Sequence, residues 1–326
     1  ITYCMAPIVA TQPSWFYVMV VVTVLLLTEL KHTFTEFAQR MKNDEMITLA
    51  KFLAISGIIL PMLPHKNLIP DINLTPYSIW LATVVVSGIS YLSYLLKRYV
   101  FHESGTLVSG IIGGLYSSTA TISVLARKSR KASEQEATDY VAAMLLAVSM
   151  MFLRFMILIL IFSREIFLSI YPYLLTMAVV AAIVAWFIHS RQKRPEDQPA
   201  ETEEDDSSNP LEFKVALIFA VLFVIFTFLT HYTLVYAGTG GLNLLSFVSG
   251  FSDITPFILN LLQNTGSVAA LIITACSMQA IISNIMVNMF YALFFAGKGS
   301  KLRPWILGGF GVVITCNLVL LLFFYI

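Results

Sequence analysis

Ser109-Gly110-Ile111-Ile112-Gly113-Gly114-Leu115-Tyr116-Ser117-Ser118-Thr119-Ala120-Thr121 lies inside an apolar segment, 104–126, of membrane-crossing length. It carries glycines and hydroxyls where a lipid-facing helix would carry leucine and valine. Gly113-Gly114 predicts an interruption of the helix, and Ser117, Ser118 or Thr119 offers an oxygen that accepts backbone N–H bonds and starts a second helix. Thr121 continues the polar run. Broken backbone at membrane depth is tolerated only where protein or a polar cavity covers it, so the break itself points to a site. A second copy stands at Ser249-Gly250-Phe251-Ser252-Asp253-Ile254-Thr255-Pro256. With Gly114 set against Gly250, Leu115/Phe251, Ser117/Asp253, Thr119/Thr255 and Ile122/Ile258 fall in register, which predicts a duplicated core.

Outward from these tracts the chain is apolar. Of 326 residues 58% are hydrophobic and 12% charged, with a mean hydropathy of +0.81, above the roughly 45–50% apolar content of soluble domains. The reading is an all-α, polytopic membrane bundle whose principal partner is the lipid bilayer. A net charge of +1, with basic residues gathered at span ends, describes topology and leaves no nucleic-acid surface. Cys4, Cys276 and Cys316 are scattered without a CxxC or a companion histidine, and read as inert buried thiols. The chain opens on Ile1 with no signal-peptide pattern, and residues ahead of it are expected.

Apolar spans are expected at 15–30, 47–60, 77–96, 140–162, 166–188, 213–230, 268–296 and 304–326, with an amphipathic surface helix at 32–45. Residues 190–209 change from basic to acidic, carry two prolines and no aromatic residue, and read as a disordered linker. The division that follows is 1–76, a first membrane repeat 77–190, the linker 191–210 and a second repeat 211–326. Charge then separates two topologies. If every apolar segment crosses, the clusters at 127–131 and 191–194 fall outside, against the positive-inside tendency. If 104–126 and 240–262 enter and return on one side, the clusters at 31–42, 97–98, 127–131, 191–194 and 298–303 all become cytoplasmic. The two repeats, each with a broken or re-entrant helix, are then inverted relative to each other, with a site near the midplane. The rival is a ten-span bundle whose glycines serve close helix packing.

Arg154, in Met150-Met151-Phe152-Leu153-Arg154-Phe155-Met156, costs about 2.5–3.5 kcal/mol on insertion scales at the centre of a span, and such residues face a bundle interior or wet cavity. Two readings stand: a functional cation, or a structural one that reaches the interface or binds carbonyls at a helix break. Asp253 either caps the helix begun near Thr255 and Pro256 or binds a proton or cation. Arg154 and Asp253 could also neutralise each other. Ser277, Asn284 and Asn288 share one helical face, as interhelical glue or as part of a site. Half-helices starting near Ser118 and Thr255 would aim positive ends at an anion, whereas Asp253 and unwound carbonyls favour a cation, so the sign of the solute stays open. There is no Walker loop, GxSxG or HExxH, and Gly238-Thr239-Gly240-Gly241 follows no strand. No enzyme, cofactor or metal is expected.

Ala50-Lys51-Phe52-Leu53 with Leu60-Pro61-Met62-Leu63-Pro64, Trp80 with Ser87-Gly88-Ile89-Ser90-Tyr91, and Gly110 to Thr121 with Leu125-Ala126-Arg127-Lys128-Ser129-Arg130 resemble, in that order, the bacterial MgtC/SapB-type membrane proteins, specifically their C-terminal domain of unknown function. The resemblance implies the bacterial inner membrane, a link to magnesium homeostasis through the MgtC part, and no site residues. The leading expectation is a transporter or channel for a small charged solute or ion. Gly113, Gly114, Ser117, Ser118, Thr119, Thr121, Arg154, Gly250, Asp253, Thr255, Asn284 and Asn288 are its candidate binding residues. The alternative is a non-transporting regulator of the MgtC type that binds partner subunits. A homo-oligomer is compatible with either.

Overall fold

The computed structural model describes residues 20–22, 24–25, 28, 43–69, 72, 74–101, 105–130, 134–191, 213–263, 268–297 and 302–325. The amphipathic stretch expected at 32–45 lies almost wholly outside these residues, as does the 191–210 linker. Of the span expected at 15–30, the described positions are helical. Two units are present, Ile1–Ile58 and Ile59–Ile326. The first contains α1 (Asn43–Ala54), and a π-helical turn, Ile55–Ile59, follows at the boundary between the units.

The second unit is a helical bundle. α2 (Pro76–Leu95) begins at a capping box: Thr75 Oγ1 accepts the Ser78 N–H at 3.0 Å, Ser78 Oγ accepts the Thr75 N–H at 3.2 Å, and Pro76 takes the first turn, where no N–H is needed. Then come α3 (Thr106–Lys128), α4 (Glu134–Phe162), α5 (Arg164–Ser190), α6 (Phe213–Ser249), α7 (Ile254–Gln263), α8 (Ala270–Ala296) and α9 (Arg303–Tyr325). Among the described residues seven helices are long and apolar enough to cross a membrane, and only α7 among the later elements is short. α8 is the most enclosed, with 72% of its apolar window buried. This is a polytopic all-α membrane bundle.

Two of the seven are interrupted. α3 breaks at Ser117 (φ −159°, ψ 107°), not at the glycine pair. Gly113 and Gly114 remain helical because glycine permits a break without forcing one, and both are used for close approach. Methyl groups added at Gly110 and Gly114 would meet the backbone of Ala143 and of Ala147, in the second case at 2.5 Å from the α-carbon. The close-packing role that the rival reading gave these glycines is therefore present as well. α6 breaks at Gly238 (φ 60°, ψ −152°), a left-handed position that glycine tolerates, and again at Gly250–Asp253 before α7.

The contacts decide how the interrupted segments run. A Cβ placed on Gly113 would stand 3.3 Å from Thr121 Cβ, although eight residues of straight helix separate two positions by about 12 Å. The chain therefore folds back at Ser117. The arm 106–116 also runs parallel to α4, since Gly110 meets Ala143 and Gly114 meets Ala147. Two consecutive parallel elements require the chain between them to return. The second half repeats this arrangement: Asn243 meets Cys276 and Ser246 meets Gln279, each pair 33 positions apart, the same spacing as Gly110 to Ala143. The arm 239–249 is thus parallel to α8, and α7 is its return. Each arm is roughly 16 Å long, about half of a 30 Å hydrocarbon core.

The ends of the elements sort into two groups. At one, Arg130 donates to the Phe294 carbonyl at 3.2 Å, Arg127 lies 4.3 Å from the centre of the Phe295 ring, and His189 meets Asp139 at 2.7 Å. At the other, Gln263 reaches the Ser78 carbonyl at 3.4 Å, joining the return arm of the second hairpin to the start of α2. Buried polar bonds tie the interior: Ser149 to the Ala178 carbonyl, Asn260 to Thr227, and Tyr173 to Asn317. Such bonds are worth about 0.6 kcal/mol each in membrane bundles, so apolar packing around Phe152, Phe223, Phe257 and Phe310 carries most of the cohesion.

Candidate functional site

The two breaks meet. One cavity of about 410 Å³ is lined by the tip of the first hairpin (Tyr116, Ser117, Ser118, Thr119), the tip of the second (Phe251, Ser252, Asp253, Ile254, Thr255), Arg154 of α4 and Asn284 of α8. Ser87 and Ser90 of α2 and Tyr291 of α8 complete its polar lining, and Met151, Phe155, Phe219 and Leu222 are among its apolar walls.

At each tip one helix ends and another begins, which leaves both carbonyls and N–H groups without helical partners. The first tip solves this with Arg154, whose Nη1 donates to the Tyr116 carbonyl at 2.7 Å, and with Ser117, whose Oγ accepts the Ala120 N–H at 3.4 Å. The second solves it with Asn284, whose Nδ2 donates to the Gly250 carbonyl at 3.2 Å, and with Asp253, whose Oδ1 accepts the Thr255 N–H at 2.9 Å. The structural role weighed for Arg154, a carbonyl partner at a helix break, is the contact it makes. The capping role weighed for Asp253 is likewise realised. Both residues also line the cavity, and the direct Arg154–Asp253 ion pair is not formed. Arg154 Nε is buried with no hydrogen-bond partner.

Of the residues singled out from sequence, Gly114, Ser117, Ser118, Thr119, Arg154, Asp253, Thr255 and Asn284 line the cavity. The other four stand behind it. Gly113 and Thr121 pack against each other across the hairpin, Gly250 packs on Ser283 and gives its carbonyl to Asn284, and Asn288 donates to Asn284 Oδ1 at 3.1 Å, which orients that amide. Sequence reasoning passed over Ser87, Ser90, Ser252, Tyr116 and Tyr291. Ser87 and Ser90 carried a signal, since with Thr83 they form a polar stripe at helical spacing in an apolar span. Tyr291 had none, because it stands among Phe290, Phe294 and Phe295 at the aromatic C-terminal end of α8. Among the described residues no group of three His, Cys, Asp or Glu side chains is placed to hold a metal ion.

The chain is similar to an uncharacterized protein of Aquifex aeolicus (strain VF5), with 24% identity over 227 residues that cover 68% of this chain and 96% of that protein. No solved structure matches it. The kinship expected from the motifs is met at the level of an uncharacterised helical domain, without MgtC or SapB being named. Residues 84–296, which contain both hairpins, Arg154 and Asn284, match the family described as Domain of unknown function (DUF4010), and the chain belongs to that family.

Proposed function

We propose that the protein is a membrane transporter or channel for a small charged solute or ion, which it binds between the two hairpin tips. The observation that carries this reading is the convergence of both backbone breaks on one cavity that also holds an arginine and an aspartate. The arm lengths suit tips that lie near the midplane. Each half has three long helices besides its hairpin, namely α2, α4 and α5, then the first part of α6, α8 and α9. An odd number of crossings per half inverts the second half relative to the first, and the grouping of Arg127, Arg130, Asp139, His189 and Phe294 at one end agrees with a cytoplasmic basic face in a bacterial inner membrane.

The alternative, a non-transporting regulator of the MgtC/SapB type, asks for a small-residue face turned outward to a partner. Gly110 and Gly114 are consumed by Ala143 and Ala147 within the chain, whereas Gly308 and Gly311 of α9 have open space around them, so the shared cavity rather than glycine packing is what favours transport. In proteoliposomes the wild type should give solute-dependent charge movement or counterflow, and Arg154→Gln and Asp253→Asn should each reduce it at least 10-fold while gel filtration shows folded protein. Wild-type flux in both variants, with the fold intact, would remove the cavity from the mechanism.

A further inference from the structure

The two charges in the cavity are held apart, and that separation bears on what fits between them. Each is anchored from its own side. Arg154 is fixed to the first tip through the Tyr116 carbonyl, and Asp253 to the second through the Thr255 N–H. They remain beyond ion-pair distance, yet both line the same cavity. Neither charge is spent on the other, and Arg154 Nε keeps a buried N–H with no acceptor. A buried donor without a partner is costly, so an occupant that supplies an acceptor there is favoured.

We propose that the occupant is a small zwitterion of the α-amino-acid class, with its carboxylate on Arg154 and its ammonium on Asp253; this rests on the transport reading of the same cavity. A lone anion would satisfy Arg154 and meet the like charge of Asp253, and a lone cation would do the reverse. A zwitterion pairs both charges at once, and its carboxylate compensates a guanidinium whose Nε is buried, where an uncompensated ion is expensive. The rest of the lining suits both ends. Ser117 and Thr255 carry hydroxyls that can complete the shell of a carboxylate or of an ammonium, and Ser252, whose hydroxyl donates to the Ser249 carbonyl, keeps lone pairs for an ammonium. The volume of about 410 Å³ stands at the small end of ligand pockets, which run from about 300 to 1,000 Å³.

The two tips belong to different hairpins, so a ligand bridging Arg154 and Asp253 also joins the two halves of the bundle. The ligand's two charges then make contacts that exist only when the tips are together, which is the differential affinity a binding-driven conformational change requires.

The test measures binding to the purified full chain by calorimetry with isosteric sets. Glycine, alanine and serine carry both charges, propionate keeps the carboxylate alone, and ethylamine keeps the ammonium alone. At least one of the amino acids should bind at least 10-fold more tightly than both single-charge compounds, as expected for one added charge-assisted hydrogen bond. In Asp253→Asn its advantage over propionate should vanish. In Arg154→Gln its advantage over ethylamine should vanish, while Arg154→Lys, which keeps the charge if the glutamine variant fails to fold, should retain it within about 10-fold. Equal affinity for the amino acid and either single-charge compound in the wild type would overturn the proposal, as would no saturable binding of any of the three amino acids. Binding of the expected pattern without flux in vesicles would keep the zwitterion site and remove transport. Flux of an inorganic ion with no amino-acid binding would do the opposite.

Discussion

At the first hairpin the carbonyl left over by the break is held by a guanidinium from the helix that follows; at the second it is held by an amide from the helix that follows. The task is the same and the amide is enough for it, since Asn284 satisfies the Gly250 carbonyl without bringing a charge into the bundle. Arg154 meets the same local need at a cost of about 2.5–3.5 kcal/mol on insertion scales. The N–H side shows the mirror difference: Ser117 caps the first return arm with a neutral hydroxyl, and Asp253 caps the second with a carboxylate. Each tip thus carries one neutral and one charged solution to equivalent problems, and the two charges have opposite sign. Helix termination explains why polar groups stand at both tips, and the proposed zwitterion would give the two opposite charges a common partner.

The comparison breaks most visibly if the hairpins do not enter from opposite faces. In a background lacking Cys4, Cys276 and Cys316, cysteines at Gly105 and Lys128, the two ends of the first hairpin, should react with an impermeant thiol reagent from one side of inverted or right-side-out vesicles. A cysteine at Gly240, at the entrance of the second, should react only from the other. Gly105 and Gly240 have open space around a new side chain, so the substitutions are mild. Labelling of Gly105→Cys and Lys128→Cys from opposite sides would convert the first hairpin into a crossing and end the inverted arrangement.

The glycines sharpen the comparison at the level of stability. Gly110 approaches the backbone of Ala143, whereas Gly250 approaches the side chain of Ser283. Gly110→Ala should cost about 1–3 kcal/mol as an overpacking change, and Ala143→Gly should not rescue it because the obstacle is a carbonyl. Gly250→Ala should be destabilising alone and partly rescued by Ser283→Gly, because the Asn284 backbone nitrogen at 2.8 Å stays in place, as measured by thermal unfolding in detergent. Rescue of Gly110→Ala by Ala143→Gly would show that the first hairpin packs by side chains after all.

The smallest effect belongs to the shared basic end. Arg130 donates to the last turn of α8, where a cation is favoured by the helix dipole. Arg130→Gln should therefore lower stability by about 0.3–1 kcal/mol, less at high salt, and leave binding in the cavity unchanged.

Legibility in the sequence followed the range of the interaction involved. The two hairpin tracts were visible because glycine and hydroxyl clusters in an apolar segment are a local conflict, and Ser117 and Asp253 are local caps. The glycine pair was misassigned as the break because whether glycine bends a helix or admits a neighbour depends on what packs against it, here Ala143 and Ala147. Ser87, Ser90 and Tyr291 entered the cavity unannounced for the same reason, since helical spacing shows which residues share a face and says nothing of what that face meets.

Composition and local pattern alone determined that this chain is a membrane helix bundle, where its backbone is apt to break, and which end of each span is basic, because hydropathy, capping and charge act over one or two turns. Only the tertiary structure decided that both breaks open into one cavity, that Arg154 and Asn284 perform matching tasks at residues 116 and 250, and that Arg154 and Asp253 stay apart. Those outcomes depend on contacts between residues up to about two hundred positions distant, which packing selects and no local preference encodes.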